Sequence, residues 1–313
     1  MAHKPAWFID GKVFVTFAET VGINKDGETL YVVDPSTGKR TEVVDDRVSA
    51  DIEALLVNPS DVRSQTARMV PADEFTLAVP AYYDDRLTQG LDQLMALPEF
   101  ADFEVRTLGE LVEVGALTQR AGHGSPSADL RQGEIPYIKV SDVRAGQINI
   151  NPSNMVPRVV AERFWRSTDS GLKPFDLITP IRASKNIGEF ALLMPGQEQV
   201  VLTKEMLILR AAADSHADNY FLFWALSLRA VREQWKRIVF MQTNRDDVGD
   251  RYLEIKIPWP TTEAAGKKAS QDFREYYTGV EALRTKFVVA LQQHDRHFVF
   301  LGLSAEAPSS DPT

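Results

Sequence analysis

Residues 133–151, GEIPYIKVSDVRAGQININ, bring Lys139, Ser141, Asp142 and Arg144 together where the chain reverses. Ammonium, guanidinium and small hydroxyl groups hold phosphate oxygens, and planar donors reach the edges of bases. The same residues also suit a surface that simply meets water. The alternation predicts a hairpin. Ile138 and Val140 share one face of a strand, and Tyr137, Lys139 and Ser141 share the other. On the return strand Ile148 and Ile150 oppose Gln147, Asn149 and Asn151, with Gly146 in the turn. One face is then core and the other polar.

Other chemistry is sparse. An acid among Asp246, Asp247 and Asp250, followed by Glu254 and Lys256, could hold magnesium as half of a nuclease site. The alternation in YLEIKIPWP already accounts for Glu254 and Lys256 as outward residues beside inward Leu253, Ile255 and Ile257. His294 and His297 have no third ligand near them in sequence, and no metal is expected. The sequence contains no GxGxxG, P-loop, HExxH or GxSxG pattern. Asn58-Pro59-Ser60 and Asn151-Pro152-Ser153 come nearest to the Asn-Pro-Pro-aromatic turn that holds a flipped adenine, and neither fits. Catalysis is not expected of this chain alone.

The elements that position the polar reversal belong to a chain of 313 residues, 44% hydrophobic and 25% charged, an ordinary balance for a soluble protein. Zero cysteines exclude disulfides and thiolate zinc sites. No apolar run approaches the roughly 18 residues a membrane span needs, and the amino terminus lacks a signal-peptide layout, so a cytoplasmic location is expected. The net charge of −9 opposes nonspecific nucleic-acid binding, but it is unevenly placed. Residues 1–100 hold 9 basic and 17 acidic side chains, whereas residues 101–260 hold 20 of each. An acidic first segment suits a basic protein partner better than it suits phosphates.

Residues 12–57 read as an apolar run, KVFVTFAETVGI, a turn-flanked strand at Leu30–Val33, and a helix in DDRVSADIEALLVNP that Pro59 ends. FTLAVPAYYDD is expected to be a strand and RLTQGLDQLMALPEF a helix stopped near Pro98. Short strands follow at Ile135–Val140, Gln147–Ile150, Leu177–Ile181, Phe190–Met194, Val200–Leu202 and Met206–Leu209. One helix runs from a cap at Asp218 or Asn219 to about Phe240 on a seam of Phe221, Trp224, Leu228, Val231, Trp235 and Ile238, with Arg229, Arg232 and Lys236 on another stripe. From Ser270 to about His294, Phe273, Tyr276, Val280, Leu283, Phe287 and Ala290 alternate by three and four, a heptad seam for a second long helix. The tail SAEAPSSDPT reads as disordered. The fold class is α+β.

GEIPYIKVSDVRAGQI closely resembles the signature that opens the target-recognition domain in specificity subunits of type I restriction-modification systems. LGELVEV at 108–114 looks like the lead-in strand of that domain, FDLITPIRASKNIG at 175–188 like its second signature, and TNRDDVGDRYLEIKIPWP at 243–260 like its closing one. The helix from Ser270 then resembles the spacer helix, and order and spacing agree over roughly Val105–His294. A full specificity subunit carries two such domains and two spacer helices. A single copy here resembles a half-subunit. VFVTFAETVGINKDGETLYVVDPSTGKR followed by VDDR is similar to the segment after the catalytic core of N6-adenine methylases, where an aliphatic helix, a Gly-turn strand and an acidic pair recur.

The resemblance implies a DNA-recognition subunit of a restriction-modification or related defence system. It implies a partner-docking segment at 1–74, a β-rich target-recognition domain at 75–262, a spacer or dimerisation helix at 263–299 and a tail at 300–313. DNA contacts are expected from Tyr137, Lys139, Ser141 and Arg144 in the first signature. Arg182, Ser184, Lys185 and Asn186 follow in the second, and Thr243, Asn244 and Arg245 in the third. Phe273, Tyr276, Val280, Leu283 and Phe287 would join a second copy or a partner. The implied partners are double-stranded DNA and a separate N6-adenine methyltransferase carrying S-adenosylmethionine, and this chain would need no cofactor of its own. Two competing expectations are a magnesium-dependent nuclease using Asp250, Glu254 and Lys256, and an assembly or regulatory protein that binds no DNA.

Overall fold

β-branched residues at Val13 and Val15 make a strand of the first apolar run. In the computed structural model, which describes residues 8, 10–60, 62, 64–148, 154–182, 186–239 and 248–293, the chain divides into two units, Met1–Leu87 and Thr88–Thr313. The first holds β1 (Lys12–Thr16), β2 (Tyr31–Val33), β3 (Arg40–Val44), α1 (Arg47–Val57) and β4 (Ala67–Pro71). β1 pairs antiparallel with β4, from Lys12 opposite Pro71 to Thr16 opposite Ala67, and β2 pairs with β3. Val15, Val70 and Tyr83 form the small core, with Phe75 stacked on Tyr83 at 5.3 Å. α1 is capped by Asp46, whose carboxylate accepts from the Ser49 amide at 3.0 Å. Its buried residue is a carboxylate: Asp51 accepts from the hydroxyls of Thr16, Ser64 and Thr66 at 2.6, 2.7 and 2.8 Å. Three donors offset the burial of that charge and fasten α1 to the β1–β4 pair.

Two expectations fail in this unit. The aliphatic helix implied for the first apolar run is the strand β1, because Val15 is needed inward against β4. FTLAVPAYYDD forms no strand. Pro80 opens a 3₁₀ turn over Pro80–Tyr83 that carries the Tyr83 ring inward, where its hydroxyl donates to the Leu77 carbonyl at 2.8 Å.

The second unit continues with α2 (Arg86–Met95), β5 (Phe103–Thr107), α3 (Leu108–Glu113), β6 (Leu117–Ala121) and β7 (Ile135–Ile138). Then come β8 (Val143–Arg144), β9 (Gln147–Ile148), β10 (Met155–Val156), α4 (Arg158–Trp165), β11 (Leu177–Pro180), β12 (Ala191–Leu192), β13 (Val201–Leu202) and β14 (Met206–Ala211). α5 (Asn219–Ser227), α6 (Arg229–Arg232), α7 (Trp235–Ile238), β15 (Lys256–Pro260), α8 (Glu263–Ala269) and α9 (Gln271–Gln293) complete it. The sheets are β12-β11-β14-β6, β10-β7-β13 and β15-β5, with β8-β9 a separate hairpin. This is the α+β class expected. Ile138, Ile178, Leu202 and Ile208 pack in one core, and the larger core surrounds α5, where Phe221, Leu222, Ala225 and Leu226 are all buried. Among the described residues no helix is long and apolar enough to cross a membrane.

Three expectations are corrected here. LGELVEV is the helix α3: Thr107 accepts from the Glu110 amide at 3.1 Å and Glu110 accepts from the Thr107 amide at 2.8 Å, a reciprocal cap that starts a helix where the strand β5 ends. The long helix to Phe240 is broken into α5, α6 and α7, with Leu228 extended at ψ 134°. α5 is buried nearly all round rather than along one seam, and the Gln234 side chain ties the third piece to the Lys256 backbone at 2.8 and 2.9 Å. The hairpin expected between Ile135–Val140 and Gln147–Ile150 is not the observed pairing. β9 pairs with β8, whereas β7 lies between antiparallel β10 and parallel β13.

Candidate nucleic-acid interface

β7 is the middle strand of its sheet and all four of its residues are buried; Val160, Ala161 and Trp165 of α4 pack against Ile135 and Tyr137, so its second face is not solvated. After Ile138 the chain turns over the 3₁₀ segment Val140–Asp142. The Lys139 amide donates to the Asp142 carboxylate at 2.9 Å, and the Asp142 amide donates to the Lys139 carbonyl at 2.9 Å. Arg144 and Gln147 then flank a two-residue turn in which Ala145 and Gly146 have φ of 51° and 81°. A Cβ at Gly146 would collide with the Tyr277 hydroxyl and come within 3.0 Å of Phe223. Tyr277, on α9, donates to the Gly146 carbonyl at 2.9 Å. Burial raises its pKa and keeps the phenol a donor. The long helix thus holds the hairpin in place.

The reversal forms one side of a cleft of about 570 Å³. Tyr137, 2% exposed, is its floor. The Arg131 guanidinium lies 5.3 Å from the centre of the Tyr137 ring and the Lys139 ammonium 5.9 Å from it. Ser141 and Arg144 stand exposed on the rim. Arg131 donates to the Pro126 carbonyl at 2.9 and 3.1 Å, and Arg144 to the Ser141 carbonyl at 3.4 Å. Asn186, 8% exposed, donates through Nδ2 to the carbonyls of Val140 and Val143 at 3.0 and 3.2 Å, so it braces the reversal from the segment after β11. Arg182 is paired with Glu205, the acid of the cleft wall. The result is a positive concavity over an aromatic floor, fit for anionic oxygens.

Of the residues read from the sequence, Tyr137, Lys139, Ser141, Arg144 and Asn186 therefore meet in one cleft, with Arg182 bonded to its wall. Ser184, Lys185, Thr243, Asn244 and Arg245 lie outside the described residues. Arg131 was not anticipated; its only signal was a basic residue in a Gly/Ser/Pro-rich loop just ahead of the first signature. His123, in the same loop, accepts from the Leu202 amide at Nδ1 (3.0 Å) and donates from Nε2 to the Ser170 carbonyl (2.9 Å). Burial pushes its pKa down to about 4, so it is neutral at pH 7 and pins the loop leading to Ser125, whose hydroxyl lies 3.0 Å from that of Thr203.

The second basic stripe is divided among ion pairs, Arg229 with Glu233 at 3.1 Å and Arg232 with Glu189 at 2.6 Å. Glu254 closes a 3₁₀ turn over Gly249–Glu254 and lies 3.8 Å from Arg237, while β15 begins at Lys256, so the two are not alternate residues of one strand as expected. Asp246, Asp247, His294 and His297 lie outside the described residues. Among the described residues no group of three metal-ligating side chains is found. Along α9, Phe273 and Val280 pack on the main core, and Tyr276, Leu283 and Phe287 stand exposed.

No family model matches the sequence, and no curated protein matches it. Among solved structures, a type I restriction-modification system described for its complex assembly and conformational transition is 14% identical, with a TM-score of 0.39, covering 80% of this chain and 56% of that one. The type I restriction-modification S subunit from M. genitalium is 13% identical, with a TM-score of 0.37 over 68% of this chain and 50% of that one. The type IIG restriction endonuclease BpuSI is 9% identical, with a TM-score of 0.42 over 72% and 33%. The chain spans about half the length of the first two and a third of the last.

Proposed function

We propose that the chain is a sequence-specific DNA-recognition subunit that brings a separate N6-adenine methyltransferase to its target. The observation that carries this reading is the gathering of Arg131, Lys139 and Arg144 on one cleft whose only acid among the described residues, Glu205, is already paired with Arg182. Hydrogen bonds from both arginines run to main-chain carbonyls, which orient the cations without neutralising them. Phosphates of a duplex fit such a surface. A net charge of −9 makes this local field, not the whole molecule's, the source of attraction. The chemical step and its S-adenosylmethionine belong to the partner. The exposed stripe of Tyr276, Leu283 and Phe287 on α9 is the assembly surface for a second copy.

The test is duplex binding by the chain with its methyltransferase, using a randomised duplex pool followed by the selected site. Replacing Arg131, Lys139 and Arg144 by Ala should weaken binding and reduce the slope of log K against log salt by about 2–3 units, since each phosphate contact contributes about 0.9. Unchanged affinity and slope would refute the reading.

A further inference from the structure

Of the nineteen large apolar side chains that stand exposed among the described residues, ten fall between Val21 and Val57. Single exposed apolar residues are ordinary on a protein surface; a concentration in one-eighth of the chain is not. α1 carries apolar residues on two faces: Val48 and Leu55 are half-buried beside the buried Asp51, while Ile52 and Leu56, one turn apart on another face, are 45% and 75% exposed. The hydroxyl bonds to Asp51 fix that orientation, so the helix cannot roll its apolar stripe inward without stranding a carboxylate. The strand pair that leads into α1 is uncovered as well. Tyr31 lies opposite Val44 and both are exposed, as are Val33 and Val43. An isolated two-stranded hairpin is marginal in water and gains its stability from a third layer.

The charge of the surroundings selects the occupant. Residues 1–87 hold nine basic and fifteen acidic side chains, and Glu42 and Glu53 stand exposed beside the apolar residues. Two copies of this surface would set like charges against each other. We infer that the α1 face and the β2–β3 hairpin are a docking surface for a different protein, one that presents an apolar centre rimmed by lysine and arginine. The acidic rim supplies rate and orientation, and the apolar stripe supplies affinity. The surface is read from the Met1–Leu87 unit alone and does not depend on the second unit's binding DNA.

The full chain is recovered from its native host after lysine crosslinking, as the wild type and as the variants Ile52→Asp/Leu56→Asp, Glu53→Lys and Val159→Asp, the last an exposed control on the second unit. The expected result is a second protein joined to Lys25 or Lys39 through lysine- or arginine-rich peptides. Its recovery should fall at least about tenfold in Ile52→Asp/Leu56→Asp, about threefold in Glu53→Lys, and not at all in Val159→Asp. Circular dichroism of each variant verifies that it folds. Undiminished recovery in Ile52→Asp/Leu56→Asp overturns the inference. So do crosslinks from this unit only to a second copy or to residues 1–7, or no crosslinked protein at all. Duplex binding by the same variants, measured in parallel, is expected to match the wild type, so loss of docking and loss of DNA recognition are told apart.

Discussion

His123 makes folding stability sensitive to pH in a direction the structure fixes. Its imidazole is held neutral between the Leu202 amide and the Ser170 carbonyl, and burial lowers its pKa to about 4. An unfolded chain takes up the same proton near pH 6.5. Between those values the unfolded state binds more protons, so this group's contribution is full above pH 6.5 and is lost as pH falls toward 4. Integrating the difference gives a loss of about 1.4 kcal/mol at pH 5.5 and about 2.5 kcal/mol at pH 4.5 relative to pH 7.5. His123→Gln cannot titrate. Urea unfolding at the three pH values should find the variant less stable at pH 7.5, with the gap to wild type shrinking by those amounts as the solution is acidified. Wild type and variant falling in parallel would show that the ring is already accessible to protons and that the loop ahead of the first signature is not pinned as described.

Three further outcomes follow from particular contacts. Asp51→Ala leaves the hydroxyls of Thr16, Ser64 and Thr66 without their shared acceptor and should cost about 3 kcal/mol in thermal or urea unfolding, concentrated in the first unit. Tyr277→Phe removes the donor to the Gly146 carbonyl and should cost about 1 kcal/mol; amide exchange at Val143–Ile148 should quicken while that of β14 does not. Leu283→Asp, on the exposed stripe of α9, should shift the sedimentation of a dimer to that of a monomer without changing thermal stability by more than about 0.5 kcal/mol, and a wild type that is monomeric at every concentration removes the stripe's assigned role.

Local signals in the sequence led to much of this structure. Asp46 and Asp218 cap helices where a short acceptor precedes an apolar run, and β11, β13 and β14 lie where β-branched and aliphatic clusters meet Gly or Pro. Long-range contacts hid the rest. Tyr137 reads as solvent-facing by its parity, but α4, a later helix, packs Val160, Ala161 and Trp165 on that face. At 108–114 the apolar run suits strand or helix equally, and the reciprocal Thr107–Glu110 cap decides for helix. The three-and-four spacing from Phe221 to Ile238 continues through a backbone break at Leu228, because spacing records which residues face the core and not whether one axis carries them. In the cleft, Lys139, Ser141 and Arg144 were legible by type, whereas Arg131 reaches it only through the fold.

The central claim is that the reversal after β7 lies against duplex DNA. A photo-crosslinking residue placed at Ser141, on the rim of the cleft, and separately at Val159, exposed on α4, tests it directly in the complex with the methyltransferase and duplex. The account predicts covalent capture of DNA from position 141 and little from position 159. Capture from 159 with none from 141, while the duplex remains bound, would contradict it.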